Sequence, residues 1–448
     1  MTMRMARRSL GAAAAVLALA LLPVSPGFAA ERAAAASSRE SAEPSAPVQL
    51  SWRHIFGSRA SDTAHAIAAD GDGVYVAGFT AGSFGGQTNR HQPSLSAYLV
   101  RFDTTGRRSW TRIFGGHDST ADSLAVDGNG GVWASGATAG SFGGQINHRH
   151  NGYSGFLVHY DQVGTLTWTH IFDDPNEAEC TGTIASDGTG GVYVAGSSDR
   201  SFDGQTNPGA YSACLAHYNA GGDRTWTRIF GSSDYDRASS IAADGTGGVY
   251  VAGETAGSFG GQTNPAHLSA FLVHYDALGQ RTLTRIFGSD VVPTISAVAS
   301  DTAGNVYLTG SVVGPLGGQG NPGGPSPFLV RLNAAGQRQW TRVFGGPSGE
   351  YPSSVVAEGN AVFVTGMSEG TFEGQANPGK GTAFLARYDT TGGHRWSRLI
   401  GSEERDQANG IASDGAGGVY VVGATEGSFA GRTNPGGYSP FVVHFGVP

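Results

Sequence analysis

The sequence predicts an all-β chain: a seven-bladed β-propeller of four-stranded antiparallel blades, its ring closed by an N-terminal strand that completes the last blade. Three observations lead there. Tryptophan recurs at positions 52, 110, 168, 226, 340 and 396, each in a phrase such as Trp-Thr-Arg-Ile-Phe-Gly, and Leu283 fills the vacant place, so seven copies step by 56 to 58 residues. A unit of that length is one supersecondary motif that buries its apolar faces only by stacking on its neighbours. Within each unit, short runs of β-forming residues are separated by glycine turns. Finally, seven first-strand phrases occur, at Ile67, Leu124, Ile184, Ile241, Val298, Val355 and Ile411, yet the chain finishes at Phe445 after a third strand. The missing outer strand stands at the front, from Leu50 to Phe56.

From the N-terminus, residues 1–29 read as a cleaved export signal. Arg4, Arg7 and Arg8 precede an apolar run from Leu10 to Leu22, and Gly27-Phe28-Ala29 offers small residues to a signal peptidase. The run falls short of the roughly 20 residues needed to span a bilayer, so no transmembrane anchor is expected after cleavage. Arg7-Arg8-Ser9-Leu10 fits a twin-arginine signal as well as the general route. The reading places the protein outside the cytoplasm: extracellular, at the cell surface or in the periplasm. Residues 30–47, rich in Ala, Ser, Glu and Pro, read as a disordered linker, and 48–448 as the propeller.

The fourth unit shows the meander. Ser240 to Ala243 is a short strand, Asp244-Gly245-Thr246-Gly247-Gly248 a tight turn in which glycine supplies positive φ, and Val249 to Gly253 a second strand. A loop from Glu254 to Ser269 carries Gly-Gly-Gln-Thr-Asn. Ala270 to Asp276 forms a third strand and Arg281 to Phe287 a fourth. Alternation is weak because both faces of each sheet are covered, and closure into a ring protects the sheet edges.

These phrases, Trp-Thr-Arg-Ile-Phe-Gly, Asp-Gly-Thr-Gly-Gly-Val-Tyr-Val-Ala-Gly, Gly-Gln-Thr-Asn-Pro-Gly and Phe-Leu-Val-His-Tyr-Asp, are similar to the bacterial SBBP-type β-propeller repeats over residues 50–445. The resemblance implies a propeller in exported or surface proteins, with no common reaction and no catalytic residues to carry over. The spacing Asp103-x-x-Gly106-x-x-x-Trp110 also resembles the tryptophan-docking repeat of quinoprotein dehydrogenases, whose eight blades and adjacent cysteines this chain lacks.

Composition narrows the function. Charged residues are 14% of 448, and Lys380 is the one lysine among 28 basic residues. Removing the export segment takes three arginines and leaves 25 basic against 36 acidic residues, a balance of −11. Nucleic-acid binding rests on clustered positive charge and is not expected. No Gly-x-Ser-x-Gly elbow, His-Glu-x-x-His or phosphate-binding loop occurs, so no catalytic residue, cofactor or metal is assigned. Cys180 and Cys214 both fall in the third unit. A bridge requires the loop at Cys180 to fold over the second strand, and two free buried thiols fit as well.

The long second-to-third loops share one face, where binding residues usually sit on a propeller. Gln87, Gln145, Gln205, Gln262, Gln319 and Gln375, with Asn89, Asn147, Asn207, Asn264, Asn321, Asn377 and Asn434, recur there. Presence in every unit favours loop bracing over a crown of amides for sugar hydroxyls. Asp62, Glu179, Asp236, Glu350 and Asp406 recur five positions before the first-strand apolar residue and read as turn-bonding groups rather than a calcium site. His159, His217, His274 and His444 share a third-strand place with Arg101, Arg331 and Arg387, which fits a basic side chain at each blade rim.

A ligand site on a near-symmetric ring requires some blades to differ. Units 1 and 2 replace Asn-Pro-Gly with Asn89-Arg90-His91-Gln92 and Asn147-His148-Arg149-His150. Arg90, His91, His148, Arg149 and His150 are the candidate ligand-binding residues, suited to a carboxylate or sulfate through forked arginine bonds, or to a transition metal through the imidazoles. The expected function is a non-catalytic binding or scaffolding module for a glycan or surface protein. A polysaccharide lyase or hydrolase and a purely structural envelope protein are the rivals.

Overall fold

The computed structural model describes residues 49–148, 152–172, 180–288 and 294–446, all within the compact unit Ala46–Pro448. The expected export signal and the linker through residue 47 lie outside the described residues. The first strand is β1 (Gln49–Ile55). Blade 1 contains β2 (Asp62–Asp70), β3 (Gly73–Thr80), β4 (Ser96–Asp103) and β5 (Arg108–Phe114), and blade 2 contains β6 (Thr120–Val126), β7 (Val132–Thr138), β8 (Ser154–Tyr160) and β9 (Leu166–Phe172). Blade 3 contains β10 (Gly182–Ser186), β11 (Val192–Ser198), β12 (Ser212–Tyr218) and β13 (Arg224–Phe230), and blade 4 contains β14 (Asp236–Ala243), β15 (Val249–Thr255), β16 (Ser269–Tyr275) and β17 (Arg281–Phe287). Blade 5 contains β18 (Thr294–Ser300), β19 (Val306–Val312), β20 (Ser326–Leu332) and β21 (Arg338–Val343), and blade 6 contains β22 (Glu350–Glu358), β23 (Ala361–Ser368), β24 (Thr382–Asp389) and β25 (His394–Ile400). Blade 7 takes β26 (Asp406–Ser413), β27 (Val419–Thr425) and β28 (Ser439–Gly446), and its fourth strand is β1.

Closure is antiparallel, with Leu50 opposite Phe445 and Ile55 opposite Phe441. The N-terminal strand therefore completes the sheet in which the chain ends, as its sequence predicts. The first strand of each blade lies on the axis, where residues from all seven line one channel. The core lies between blades. Val74, Val76, Tyr98 and Val100 of blade 1 pack on Tyr420, Val422 and Val442 of blade 7, while Tyr75, Ala77 and Leu99 face Val132, Ala134 and Phe156 of blade 2. Second strands are accordingly buried along almost their whole length, as in β15. No helix of the described residues is long and apolar enough to cross a membrane.

The recurrent Trp-x-Arg phrase is an inter-blade dock. Period-2 geometry puts both side chains on one face of the outer strand, over the next blade's turn. Indole Nε1 atoms of Trp52, Trp110 and Trp340 donate to the carbonyls of Thr104, Gln162 and Thr390 at 3.0, 2.9 and 3.0 Å. The guanidinium of Arg112 donates to the Gly164 carbonyl at 2.6 Å, and that of Arg342 to the Gly392 carbonyl at 2.7 Å. Glycine in the turn is required twice over. Gly106 has φ +83°, and a Cβ there would stand 2.6 Å from the Trp52 indole. In blade 7 the third and fourth strands come from opposite ends of the chain, so this turn is missing. Trp396 of blade 6, which would dock on it, has its Nε1 buried without a hydrogen-bond partner among the described residues.

Blade 3 departs from the repeat. Inner strands of the other six blades carry a register shift opposite the second-strand glycine, skipping His65, Asp122, Ser239, Ser296, Ser353 and Asn409. In contrast, β10 pairs with β11 without a shift and has five residues, fewer than any other strand. A disulfide joins Cys180 to Cys214 with 5.6 Å between Cα atoms. The Cys180 sulfur sits 3.5 Å from the carbonyl of Val194 in β11, so the bridge passes over the second strand.

Candidate functional site

On the long-loop face each loop begins with a two-residue turn held by an isolated bridge, Phe84 to Gln87 in blade 1 and Phe429 to Arg432 in blade 7. Positive φ is required at both central positions, so glycine is usual. Asp203, Glu373 and Ala430 nevertheless take φ values of 53°, 47° and 53° there.

The asparagines then tie each loop down. Asn89 Nδ2 donates to the carbonyls of Thr80 and Ser94 at 3.3 and 3.0 Å, and its Oδ1 accepts from the His91 amide at 2.8 Å and the Ser96 hydroxyl at 2.8 Å. Asn147, Asn207, Asn264, Asn321, Asn377 and Asn434 repeat the bond to the end of the second strand. The glutamines work differently. Gln87, Gln145, Gln205, Gln262, Gln319 and Gln375 close the turn through their backbone amides, and Gln375 also donates from Nε2 to the Ser397 carbonyl at 2.9 Å.

The recurrent acids are fully buried at Asp62, Asp236, Glu350 and Asp406, while Glu179 lies outside the described residues. Asp236 accepts from the Ser232 amide at 2.6 Å and the Thr255 hydroxyl at 2.5 Å, and Asp406 accepts from the Ser402 amide at 2.6 Å. Burial raises the carboxyls of Asp62, Asp236 and Asp406 above the usual range, against the opposing pull of these bonds. Blade 6 changes both members of the motif. Gly346 replaces the serine, and the longer Glu350 occupies the space. Burial first, then the carboxylates of Glu373 and Glu369, push Glu350 up to about 7.

The third-strand histidines lock the first hairpin. His159, His217, His274 and His444 place Nε2 at 2.9, 3.0, 2.8 and 2.8 Å from Asp127, Asp187, Asp244 and Asp414, whose other oxygens accept turn amides. Arg101 instead donates to the Tyr75 hydroxyl at 3.1 Å, Arg331 to the Thr390 carbonyl at 2.8 Å, and Arg387 lies 5.8 Å over the Phe363 ring. The tight-turn face, opposite the long loops, is therefore occupied with fastening hairpins.

Arg90 and His91 come together. With Gln87, Thr88 and Ser96 they line a cleft of about 400 Å³ floored by Ile113 and Phe114. Both side chains are exposed, and neither is ion-paired among the described residues. His148 is exposed on the blade 2 loop and does not line this cleft, while Arg149 and His150 lie outside the described residues. Among the described residues no three His, Cys, Asp or Glu side chains are grouped to hold a metal ion.

The axial channel, about 260 Å³, is lined by bulge residues that sequence reasoning passed over. His65 Nδ1 donates to Asp122 Oδ1 at 2.9 Å, joining blades 1 and 2. Asn409 Nδ2 donates to the Ala64 carbonyl at 2.7 Å, and the Ser353 hydroxyl to the Ala408 carbonyl at 2.8 Å. Bulges re-aim side chains, and here they face the axis and fasten neighbouring blades. The signal was a column of His, Asp, Ser and Asn two places before the first-strand apolar residue.

The family model described as "SBBP: Beta-propeller repeat" matches residues 225–260 and 395–430. No curated protein matches the sequence. Among solved structures, one of YCF48 bound to D1 peptide is 10% identical with a TM-score of 0.46, covering 90% of this chain and 100% of that one. The WD40 beta propeller domain of Doa1 is 9% identical with a TM-score of 0.49, covering 89% and 97%. Polysaccharide lyase Uly1 is 10% identical with a TM-score of 0.49, covering 90% and 100%. The two matched segments each run from an outer strand through the next inner and second strands, as the recurrent phrases do. The chain is a seven-bladed β-propeller that carries SBBP-type β-propeller repeats.

Proposed function

We propose that this propeller is an exported, non-catalytic binding module whose ligand is an extracellular glycan bearing an acidic group, held on the long-loop face of blade 1. The observation that carries the reading is the Arg90/His91 cleft. It joins an exposed guanidinium and imidazole to an amide and hydroxyls above an apolar floor, a combination suited to a carboxylate or sulfate on a sugar. The lining holds no carboxylate, and glycoside hydrolysis ordinarily needs two. This favours binding over turnover there.

Export is supported by the charged and apolar pattern of residues 1–29 and by the Cys180–Cys214 bridge, since such bonds persist in oxidising compartments. A glycan array probed with the purified chain is the test, with Arg90→Ala alongside. Selective binding of uronate- or sulfate-bearing glycans should fall about tenfold or more in the variant, the equivalent of roughly 1.4 kcal/mol. Equal binding by the two proteins, or none by the parent, defeats the proposal.

A further inference from the structure

We propose that the cleft between blades 2 and 3 is a second site, for an uncharged sugar unit. It deepens the glycan reading and rests on it only for the class of ligand. The cleft is about 440 Å³ and shares Asp122, Ser123 and Thr183 with the axial channel, so it opens inward from the blade seam. It lies where the ring is least regular, beside the shortened inner strand of blade 3 that enters from Cys180.

Three departures of the sequence meet there. Asp122 is the one carboxylate among the skipped inner-strand residues, the others being His, Ser and Asn. Gly155 stands where the other blades have Ala or Pro, and a Cβ at this place would collide with the side chain of Thr181. Tyr153 precedes the third strand and is 62% exposed. Tyrosine occurs at this place in two other blades and is engaged in both. Tyr211 stacks on Tyr235 at 5.4 Å and 8°, and the Tyr438 hydroxyl bonds Glu426. Among the described residues, Tyr153 has no ring partner.

The chemistry is that of sugar recognition. An exposed phenol ring offers an apolar face to sugar C–H groups and a polar tip to solvent. Asp122 accepts one bond from His65 at 2.9 Å and one from Thr120 at 3.0 Å. A carboxylate has about four acceptor positions, so it keeps capacity for ligand hydroxyls. Ser123 Oγ accepts the Ile184 amide at 3.1 Å, which leaves its own proton to donate. Thr181 and Thr183 add hydroxyls that both donate and accept. The lining holds no cation and a single carboxylate already bonded to an imidazole, which suits a neutral polyol better than a charged ligand.

The test is saturation-transfer NMR and calorimetry on the purified chain with cellobiose, maltose, lactose and diacetylchitobiose. At least one should bind saturably. Tyr153→Ala and Asp122→Asn should each weaken it by about tenfold or more, while Tyr153→Phe and Arg90→Ala bind as the parent does. Tyr153 is a surface side chain, so its alanine variant should melt with the parent, which separates lost binding from lost fold. The proposal is overturned if no disaccharide saturates or if both weakening variants bind normally. Loss in Arg90→Ala with retention in Tyr153→Ala overturns this site and leaves the blade 1 site standing.

Discussion

Trp52→Ala tests ring closure at its pin. The Trp52 indole lies 5.6 Å from the Tyr420 ring and 5.7 Å from the His444 ring of blade 7. It also lies 6.1 Å from Phe102 of blade 1 and donates to the Thr104 carbonyl at 3.0 Å. A half-buried indole hides on the order of 100–150 Å², which at about 25 cal/mol per Å² amounts to roughly 3–4 kcal/mol. The hydrogen bond adds about 1 kcal/mol. The expected loss of about 4 kcal/mol falls within the roughly 3–5 kcal/mol typical of Trp→Ala. Urea unfolding measures it, with Trp226→Ala as the control. That tryptophan docks on the next blade in the same way, through the Ala277 carbonyl at 3.3 Å, but its strand is continuous with its own blade. Hydrogen exchange separates the two: Trp52→Ala should speed exchange in β1 and β28, whereas Trp226→Ala should leave both protected. A loss below about 1 kcal/mol with β28 unchanged would show that the N-terminal strand does not hold the ring together.

Glu350→Gln should flatten a pH dependence. The folded carboxyl is raised from 4.5 to about 7 by burial, so its contribution is fully present below the unfolded value and is lost as pH rises from 4.5 towards 7. The parent should therefore lose stability across that window by up to about 3 kcal/mol, or roughly half that with solvent screening, and the variant should not; parallel unfolding curves at pH 5 and 7.5 for both proteins would refute the assignment. Cys180→Ser with Cys214→Ser opens a bridge between residues 34 apart, which should cost about 3–4 kcal/mol. Hydrogen exchange should rise first in β10 and β11, and a uniform rise around the ring would contradict the local role given to the bridge.

Strand order, blade number and closure were legible because they repeat. Trp52, the seven first-strand phrases and the end of the chain at a third strand leave one arrangement that pairs every strand. The acids read as turn-bonding groups do bond turns at Asp62, Asp236 and Asp406. Two things were not legible. Glutamine and asparagine recur together, yet the first acts through its backbone and the second through its side chain, a difference set by loop conformation and not by residue type. Asp122, Tyr153, Gly155 and Thr181 belong to two units and are scattered over some sixty positions. Only the packing of β6, β8 and β10 at one seam brings them together.

The division follows from what repetition can encode. Repeated docks fix repeated seams, and most recurrent polar side chains are consumed by the turn or neighbour they fasten: the asparagines by their loops, the histidines by hairpin aspartates, and outer-strand arginines such as Arg112 and Arg342 by glycine carbonyls. A group so consumed has little left for a ligand, because its hydrogen-bonding positions and its geometry are committed to the ring. Residues that break the pattern carry no such obligation. Arg90 and His91 stand where blades 3 to 7 have proline followed by glycine or alanine, and Tyr153 stands where the other tyrosines find partners. Both departures fall in blades 1 and 2, on one face, so recognition on this ring should be confined to one sector while the other blades serve to hold it rigid.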